Sequence, residues 1–288
     1  MSKSFGAWVL FIVLTIIWGS SFILMKIGMQ ALNPYQVATI RILSAGIVLL
    51  PFAWNAFKNV DKKKIPQIIL SGLLGNFFPA YFYCIAESRI DSSLAAILNS
   101  LTPLCAILAG ISFFGLKTNA KKIIGVAIGF TGLVLLPFAT QKGIDFKDLS
   151  YSLLILAATV CYGLNVNMVS RYLQGTAALH IASLAFAFLL IPALLILIYT
   201  GYFNLPLFTA PYLHAALASA TLGIAGTAIA SVLFYMLVKK AGVLFTSLVT
   251  YGIPVIAVIF GLFYGEAITL AELGCLIIIL GGVYMVNR

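Results

Sequence analysis

The stretch Gly72-Leu73-Leu74-Gly75 has a counterpart 151 residues later in the same chain, Gly223-Ile224-Ala225-Gly226. Two further small-residue pairs keep this offset, and they are Pro103 with Pro254 and Gly110 with Gly261. Because the repeated positions lie in very apolar sequence, the pattern predicts one membrane-embedded unit that is built twice. Transporters are commonly made of two related helical halves.

The composition indicates a membrane protein independently of the repeat. Hydrophobic residues make up 62% of the 288-residue chain and charged residues 8%, against about 45–50% and about 25% in an ordinary soluble domain. A helix that crosses the bilayer needs about 20 mainly apolar residues. The chain is therefore predicted to be an all-α membrane protein with ten transmembrane helices that contact the lipid bilayer.

The predicted helices fall into two sets of five on either side of a polar stretch at residues 140–150. Residues 1–149 form the first predicted unit and residues 150–288 the second. The first apolar segment is too long for a removable signal peptide and has no small-residue cleavage site, so we expect it to remain as a helix. The predicted spans are residues 7–31, 36–56, 66–86, 92–114, 121–139, 151–172, 178–201, 211–238, 243–264 and 268–286.

The loops carry unequal numbers of basic residues, and this bias predicts the orientation of the chain. With the N-terminus in the cytoplasm, most of the 17 Lys and Arg residues fall on the cytoplasmic side, as expected for short loops. Both termini are then cytoplasmic. The net charge of +10 is explained by this bias and by contact with anionic lipid headgroups, so we expect no nucleic-acid partner.

An odd number of helices in each half means that the two halves cross the membrane in opposite directions. Such inverted repeats can exchange roles around a site at the bilayer midplane, which favours transport by alternating access. The matched residues Pro103 and Pro254 are expected to bend their helices and are predicted hinge residues. Proline is also tolerated in membrane helices without any such role, and both interpretations stay open.

Ionisable residues within the spans restrict the kind of solute. All seven Asp and Glu residues lie in loops or near predicted span ends, whereas a carrier of lipophilic cations would ordinarily place a carboxylate at mid-membrane. Lys26 and Arg41 lie inside predicted spans and favour an anionic group on the solute. Lys26 also fits a side chain that reaches the outer interface, and Arg41 equally fits a structural pairing.

Aromatic and amide side chains supply the other candidates for a solute site. Aromatic rings can wall an amphipathic cavity, and hydroxyls or amides buried at mid-membrane depth need hydrogen-bond partners from the protein or from a solute. Each ring taken singly also fits core packing or lipid contact. The predicted substrate-binding residues are Trp18, Phe22, Arg41, Tyr81, Asn99, Tyr162, Asn165, Tyr235 and Tyr251.

An intramembrane enzyme is the alternative class of protein, because Gly19-Ser20-Ser21-Phe22 formally fits a nucleophile pattern. A serine nucleophile needs a base within hydrogen-bond reach, and the two histidines, His180 and His214, match the predicted depth of Ser21 poorly. The sequence shows no metal-ligand cluster and no phosphate-binding loop. We therefore expect neither catalysis nor a cofactor or metal.

Gly125 and Gly129 form a GxxxG motif in the fifth predicted span. Such motifs are close-packing surfaces, and packing within the bundle is favoured over a dimer contact. A monomer and a homodimer are both compatible with the sequence.

Several short features occur together in one known family, and they are Trp18-Gly19-Ser20-Ser21-Phe22, Pro34, Arg41 and Gly265-Glu266. With these features the chain resembles, over nearly its whole length, the EamA family of the drug/metabolite transporter superfamily. The resemblance implies ten helices in two five-helix inverted repeats, with a central cavity formed mainly by the first four helices of each half. The first half departs from the family pattern, because Gly115-Leu116-Lys117 stands where a Gly-Glu pair is expected.

The function expected from residues and resemblance together is export of small amphipathic metabolites, with amino acids or related zwitterions as the favoured small-molecule substrates. A broad-specificity drug efflux protein and a lipid-translocating protein are the alternatives. Proton-coupled and facilitated transport both stay open. The expected location is a bacterial inner membrane, which the protein crosses many times.

Overall fold

The computed structural model describes residues 5–116, 120–139, 146–247, 249–263, 265 and 269–287. Over these residues the regular structure is helical throughout, without a strand. In this part of the chain, seven helices are long and apolar enough to cross a membrane, and they are Phe5–Gly28, Pro34–Asn59, Lys62–Glu87, Ser92–Phe114, Leu149–Tyr172, Ala178–Tyr199 and Ala210–Val243. The prediction of an all-α, multi-pass membrane protein is confirmed, while the count of ten spans and the orientation of the termini stay predictions.

The helix boundaries agree with the predicted spans to within a few residues at most ends, because long apolar runs between polar loops leave little freedom. The α-helices in chain order are α1 Phe5–Gly28, α2 Pro34–Asn59, α3 Ile65–Gly72, α4 Phe78–Glu87, α5 Ser92–Asn99, α6 Thr102–Phe114, α7 Ala120–Ala139, α8 Phe146–Tyr172, α9 Ala178–Tyr199, α10 Ala210–Gly223, α11 Ala230–Ser247, α12 Val249–Phe263 and α13 Leu270–Asn287. Within α11, Gly242 takes a φ of 81° and marks a kink at the predicted boundary between two spans.

Two π-helical segments interrupt the spans, Leu73–Phe77 between α3 and α4 and Ile224–Ile229 between α10 and α11. They begin 151 residues apart, directly after the repeated glycines Gly72 and Gly223. A π-helical turn contains an extra residue and frequently lies at a functional site. The sequence repeat therefore corresponds to the same local distortion in both halves of the chain.

Each π segment places its central glycine against a polar side chain of another helix. A Cβ atom at Gly75 would overlap the Asn165 side chain of α8, and one at Gly226 would lie 2.7 Å from the Ser21 Oγ of α1. Neither approach leaves room for a side chain. Glycine at these two positions therefore allows α8 and α1 to pack directly on the π segments.

The two predicted hinge prolines occupy different local settings. Pro103 lies in the first turn of α6, where a missing N–H is tolerated, just after a break in the helix at Ser100 and Leu101. Pro254 lies in the interior of α12. The Thr102 Oγ1 donates to the Asn99 carbonyl oxygen at 2.7 Å and so closes the α5–α6 break.

Helices from the two halves pack against one another. α2 lies along α9, α6 along α8 and α1 along α12. The Gln36 Nε2 donates to the Thr200 carbonyl oxygen at 3.1 Å and links the start of α2 to the end of α9. Because the halves share their contacts in this way, any cavity at the centre is lined by both.

α7 and α13 form a pair that packs mainly on itself. A Cβ atom at Gly282 of α13 would lie 2.6 Å from the Gly125 carbonyl oxygen and would overlap the backbone of Gly129. The GxxxG motif is therefore a packing surface within the chain, as favoured from the sequence.

Candidate functional site

A cavity opens at the centre of the bundle between α1, α2, α4, α5, α6, α8, α11, α12 and the two π segments. It offers about 90 Å³ to the centres of water molecules, well above the minimum of about 10–15 Å³ that admits one water. A space of this size suits a small metabolite. Seven of the nine predicted substrate-binding residues line it, namely Trp18, Phe22, Arg41, Asn99, Tyr162, Asn165 and Tyr235.

Arg41 brings a buried positive charge to this cavity. Its side chain is 9% exposed, its Nε donates to the Thr227 Oγ1 at 2.6 Å, and its Nη1 lies 3.9 Å from the Met25 Sδ. Within the described part of the chain, no carboxylate forms an ion pair with Arg41. A buried cation without a counter-ion is unfavourable, and the Arg41 guanidinium therefore gives the cavity a positive charge that an anionic group would stabilise.

Aromatic rings form the apolar wall of the cavity. The Trp18 Nε1 donates to the Gly226 carbonyl oxygen at 3.0 Å, so this ring is anchored on the second π segment. The Phe22 and Tyr83 rings meet at a centroid distance of 5.9 Å, and the Tyr83 and Tyr162 rings stack at 6.2 Å. Tyr83 is a cavity residue that the sequence analysis missed.

Hydroxyls and amides line the cavity between the rings. The Tyr83 hydroxyl donates to the Asn99 Oδ1 at 2.6 Å, and the Ser71 Oγ donates to the Asn165 Oδ1 at 2.7 Å. The Tyr235 hydroxyl lies 3.1 Å from the same Ser71 oxygen. Since the single Ser71 proton is directed to Asn165, the Tyr235 hydroxyl donates to Ser71.

Asn76, in the first π segment, is the second cavity residue that the sequence analysis missed. Its side chain is 7% exposed, and its Oδ1 accepts a hydrogen bond from the Ser231 Oγ at 3.0 Å. Its Nδ2 is buried and has no hydrogen-bond partner among the described residues. Asn99 and Asn165 were selected because each is an amide inside an apolar span. The same sequence feature is present at Asn76 and would have identified it.

Two predicted site residues are not among the residues that line the cavity. The Tyr81 hydroxyl lies 2.8 Å from the Thr39 Oγ1, which itself donates to the Tyr35 carbonyl oxygen at 2.6 Å. Tyr81 therefore contributes to the contact between α4 and α2. Tyr251 is half-buried on α12 and packs against the hydrophobic core.

The other ionisable candidates also have defined places. The Lys26 Nζ lies 3.8 Å from an Asp91 carboxylate oxygen, so Lys26 is paired rather than directed into the cavity. Glu266, which belongs to the family-like Gly-Glu pair, lies outside the described residues. Neither Pro103 nor Pro254 lines the cavity, although their neighbours Thr102 and Ile253 do.

Comparison with known families gives a match to both halves of the chain. The model of the EamA-like transporter family matches residues 6–138 and, separately, residues 149–288. The chain is also similar to curated bacterial proteins. One is the uncharacterized inner membrane transporter YedA of Escherichia coli strain K12, which is 27% identical over 252 residues, 86% of this chain and 79% of that protein.

Two further bacterial proteins are similar to this chain. A probable amino-acid metabolite efflux pump of E. coli strain K12 is 25% identical over 161 residues, 55% of this chain and 51% of that protein. Protein PagO of Salmonella typhimurium strain LT2 is 23% identical over 293 residues and covers 96% of this chain and 91% of its own length. The predicted location, a multi-pass protein of a bacterial inner membrane, agrees with the inner membrane named for YedA.

A protein of known crystal structure has the same fold. It superposes with a TM-score of 0.66 over 99% of this chain and 96% of its own, at 20% sequence identity. At this identity the likeness concerns the fold alone.

Proposed function

This chain belongs to the EamA-like transporter family, and we propose that it exports small amphipathic metabolites by alternating access, with amino acids or related zwitterions as the favoured class. The observation that carries the proposal is the central cavity, which is lined by the Arg41 side chain and by several aromatic rings. Such a cavity matches a solute with one anionic end and one apolar end.

The architecture that we propose has ten spans in two inverted repeats, residues 1–149 and 150–288, with both termini in the cytoplasm. The two family matches, one in each half, support this division. So do the π segments that begin 151 residues apart. In alternating access the halves exchange roles around a central site, and we assign Pro103 and Pro254 as hinges for that movement.

The favoured substrate class draws on two observations. One relative is named as a probable amino-acid metabolite efflux pump. Among the described residues that line the cavity there is a cation but no Asp or Glu, which disfavours lipophilic drug cations. A catalytic serine is unsupported as well, because the Ser21 hydroxyl donates to its own helix at the Ile17 carbonyl oxygen, 2.7 Å away.

The test is uptake into proteoliposomes of labelled amino acids, organic cations and neutral drugs, with and without an imposed pH gradient. We expect saturable movement of amino acids, and the effect of the gradient distinguishes proton-coupled from facilitated transport. Saturable movement of lipophilic cations alone would replace this proposal with drug efflux.

A matched pair of variants connects the transport to the cavity. Tyr162→Ala removes a ring from the cavity wall, whereas Tyr199→Ala removes a ring that is 92% exposed at the end of α9. We expect Tyr162→Ala to weaken transport by about tenfold or more, as for the loss of a buried aromatic contact, and Tyr199→Ala to leave it unchanged. Equal effects of the two variants would speak against the cavity as the solute site.

A further inference from the structure

We propose that Thr227 is a positioning residue for solute binding, because it fixes the Arg41 guanidinium in the cavity by holding its Nε on the second π segment, Ile224–Ile229. Thr227 is not among the residues that line the cavity, so it acts on the solute through Arg41. This inference rests on the transport function proposed above. It identifies a residue of the second half that orients a charge supplied by the first half.

The Thr227 hydroxyl is held as an acceptor for Arg41. Its side chain is 2% exposed, and its Oγ1 donates to the Leu222 carbonyl oxygen, five residues earlier, at 3.3 Å. A hydroxyl has one proton and two lone pairs, so this bond leaves the lone pairs of Thr227 for the Arg41 Nε, which donates at 2.6 Å. The two hydrogen bonds together fix the orientation of the Thr227 side chain and of the guanidinium bound to it.

Arg41 has few other contacts that could orient its side chain. Among the described residues, its other hydrogen-bond contact is the approach of the Nη1 to the Met25 Sδ at 3.9 Å, and a thioether sulfur is a weak acceptor. The guanidinium therefore extends from Thr227 on the π segment to Met25 of α1, which also lines the cavity. Since the guanidinium is planar and its five N–H groups have a fixed geometry, the bond at Nε determines the direction of the other donors.

The second π segment also holds the main chain around the cavity. A Cβ atom at Gly223, directly before the segment, would overlap the Arg41 carbonyl oxygen. The Trp18 Nε1 donates to the Gly226 carbonyl oxygen at 3.0 Å. The segment thus contacts both α1 and α2, and Thr227 holds Arg41 at a fixed place between them. An arginine that is already ordered loses less side-chain entropy when a solute binds.

The matched positions of the two halves differ here. The residue 151 positions before Thr227 is Asn76 of the first π segment, and its Oδ1 accepts a hydrogen bond from the Ser231 Oγ at 3.0 Å. The residue 151 positions after Arg41 is Pro192. The contact of a threonine with a cation is therefore specific to the second π segment, whereas the first binds a neutral hydroxyl at the matched position.

Uptake of labelled phenylalanine into proteoliposomes tests the role of Thr227. Thr227→Val keeps the branched shape of the side chain and removes the hydroxyl. We expect its KM for phenylalanine to rise about tenfold or more, since a hydrogen bond to a charged group is lost, and its rate at saturation to stay within about twofold. A merely structural role would lower the rate at saturation, by reducing the amount of folded protein, and would leave KM unchanged.

Two variants are the controls. Thr227→Ser retains the hydroxyl and is expected to keep KM within about threefold of that of the unaltered protein. Thr159→Val makes the valine substitution at a buried threonine of α8, whose hydroxyl donates to the Leu156 carbonyl oxygen at 2.7 Å. Thr159 does not line the cavity, and we expect its KM to be unchanged. Equal changes of KM in Thr227→Val and Thr159→Val would overturn the assignment.

A double variant determines whether Thr227 acts through Arg41. Arg41→Met removes the guanidinium and is expected to raise KM at least as much as Thr227→Val does. Adding Thr227→Val to Arg41→Met should then change KM by less than about twofold, because effects that share one contact are not additive. A full additive rise in the double variant would overturn the positioning role.

The failure of this inference is distinct from the failure of the proposed function. Saturable phenylalanine uptake with an unchanged KM in Thr227→Val removes the role of Thr227 alone. The absence of saturable uptake by the unaltered protein removes the proposed function and this inference with it.

Discussion

Gly75 and Gly226 occupy matched places in the two halves, and each brings the backbone of a π segment against another helix. Asn165 packs on Gly75 and Ser21 packs near Gly226. Both of these polar residues line the cavity. These two glycines therefore determine where the polar groups of the cavity lie. A methyl group added at either position is expected to weaken the binding of the solute.

Gly75→Ala is expected to displace the Asn165 side chain, because the added Cβ would overlap its amide nitrogen. Overpacking of this kind costs about 1–3 kcal/mol of stability, and we also expect weaker transport. Gly274→Ala is the control, since a Cβ at Gly274 of α13 meets no atom within 4 Å. Thermal denaturation and uptake assays on both variants make the comparison, and equal stability of the two would contradict this account of Gly75.

Trp18→Phe removes the hydrogen bond from the indole nitrogen to the Gly226 carbonyl oxygen while keeping an aromatic ring. We expect a loss of about 0.5–1.5 kcal/mol in the free energy of unfolding, together with slower transport, because the second π segment loses its anchor. Trp54→Phe changes a ring that is 69% exposed and should alter neither quantity. A denaturing-detergent titration measures the difference, and an undiminished Trp18→Phe protein would refute the anchoring role.

At the scale of elements, the long apolar helices were predictable and the breaks inside them were not. The length of the apolar segment between two polar loops is enough to predict a span such as α9, without knowledge of the rest of the molecule. A π segment such as Leu73–Phe77 depends on the side chains that pack against it from other helices. The sequence of one apolar segment does not show which side chains of other helices pack against it. The repeated glycines nevertheless indicate the positions of both π segments.

The same limit explains why the sequence analysis selected Tyr81 on α4 and missed Tyr83. The Tyr81 hydroxyl contacts Thr39, whereas Tyr83 lines the cavity. The cavity face runs from Asn76 to Tyr83, seven residues later, as expected for one face of a helix. Had Asn76 been recognised as a buried amide, the same periodicity would have identified Tyr83.

The α7–α13 pair provides a prediction at the scale of elements, because no described side chain of either helix is among those that line the cavity. Gly282→Ala should push the two helices apart and lower the stability by about 1–3 kcal/mol, since its Cβ would meet the backbone of Gly125 and Gly129. Ligand affinity should stay the same. Gly281→Ala, one residue earlier, meets no atom within 4 Å and is the control. A changed affinity in Gly282→Ala would show that the pair is coupled to the cavity.

At the scale of the whole molecule, the charge bias of the loops predicts which surface faces the cytoplasm. Single cysteines introduced into a cysteine-free background test it with a membrane-impermeant maleimide on intact cells. Thr209→Cys, between α9 and α10, should react from outside, and Gln174→Cys, between α8 and α9, only after permeabilisation. Both native side chains are exposed. The reverse pattern of labelling would overturn the predicted orientation.

The central claim is that one cavity between the two halves opens to each side of the membrane in turn and holds the solute. The most direct measurement uses Ser21→Cys in the cysteine-free background, because Ser21 lines the cavity on α1. An impermeant thiol reagent is applied to either face of oriented vesicles, with and without phenylalanine. The account predicts reaction from both faces and protection by phenylalanine on both, whereas reaction from one face alone, or reaction that phenylalanine does not slow, would contradict it.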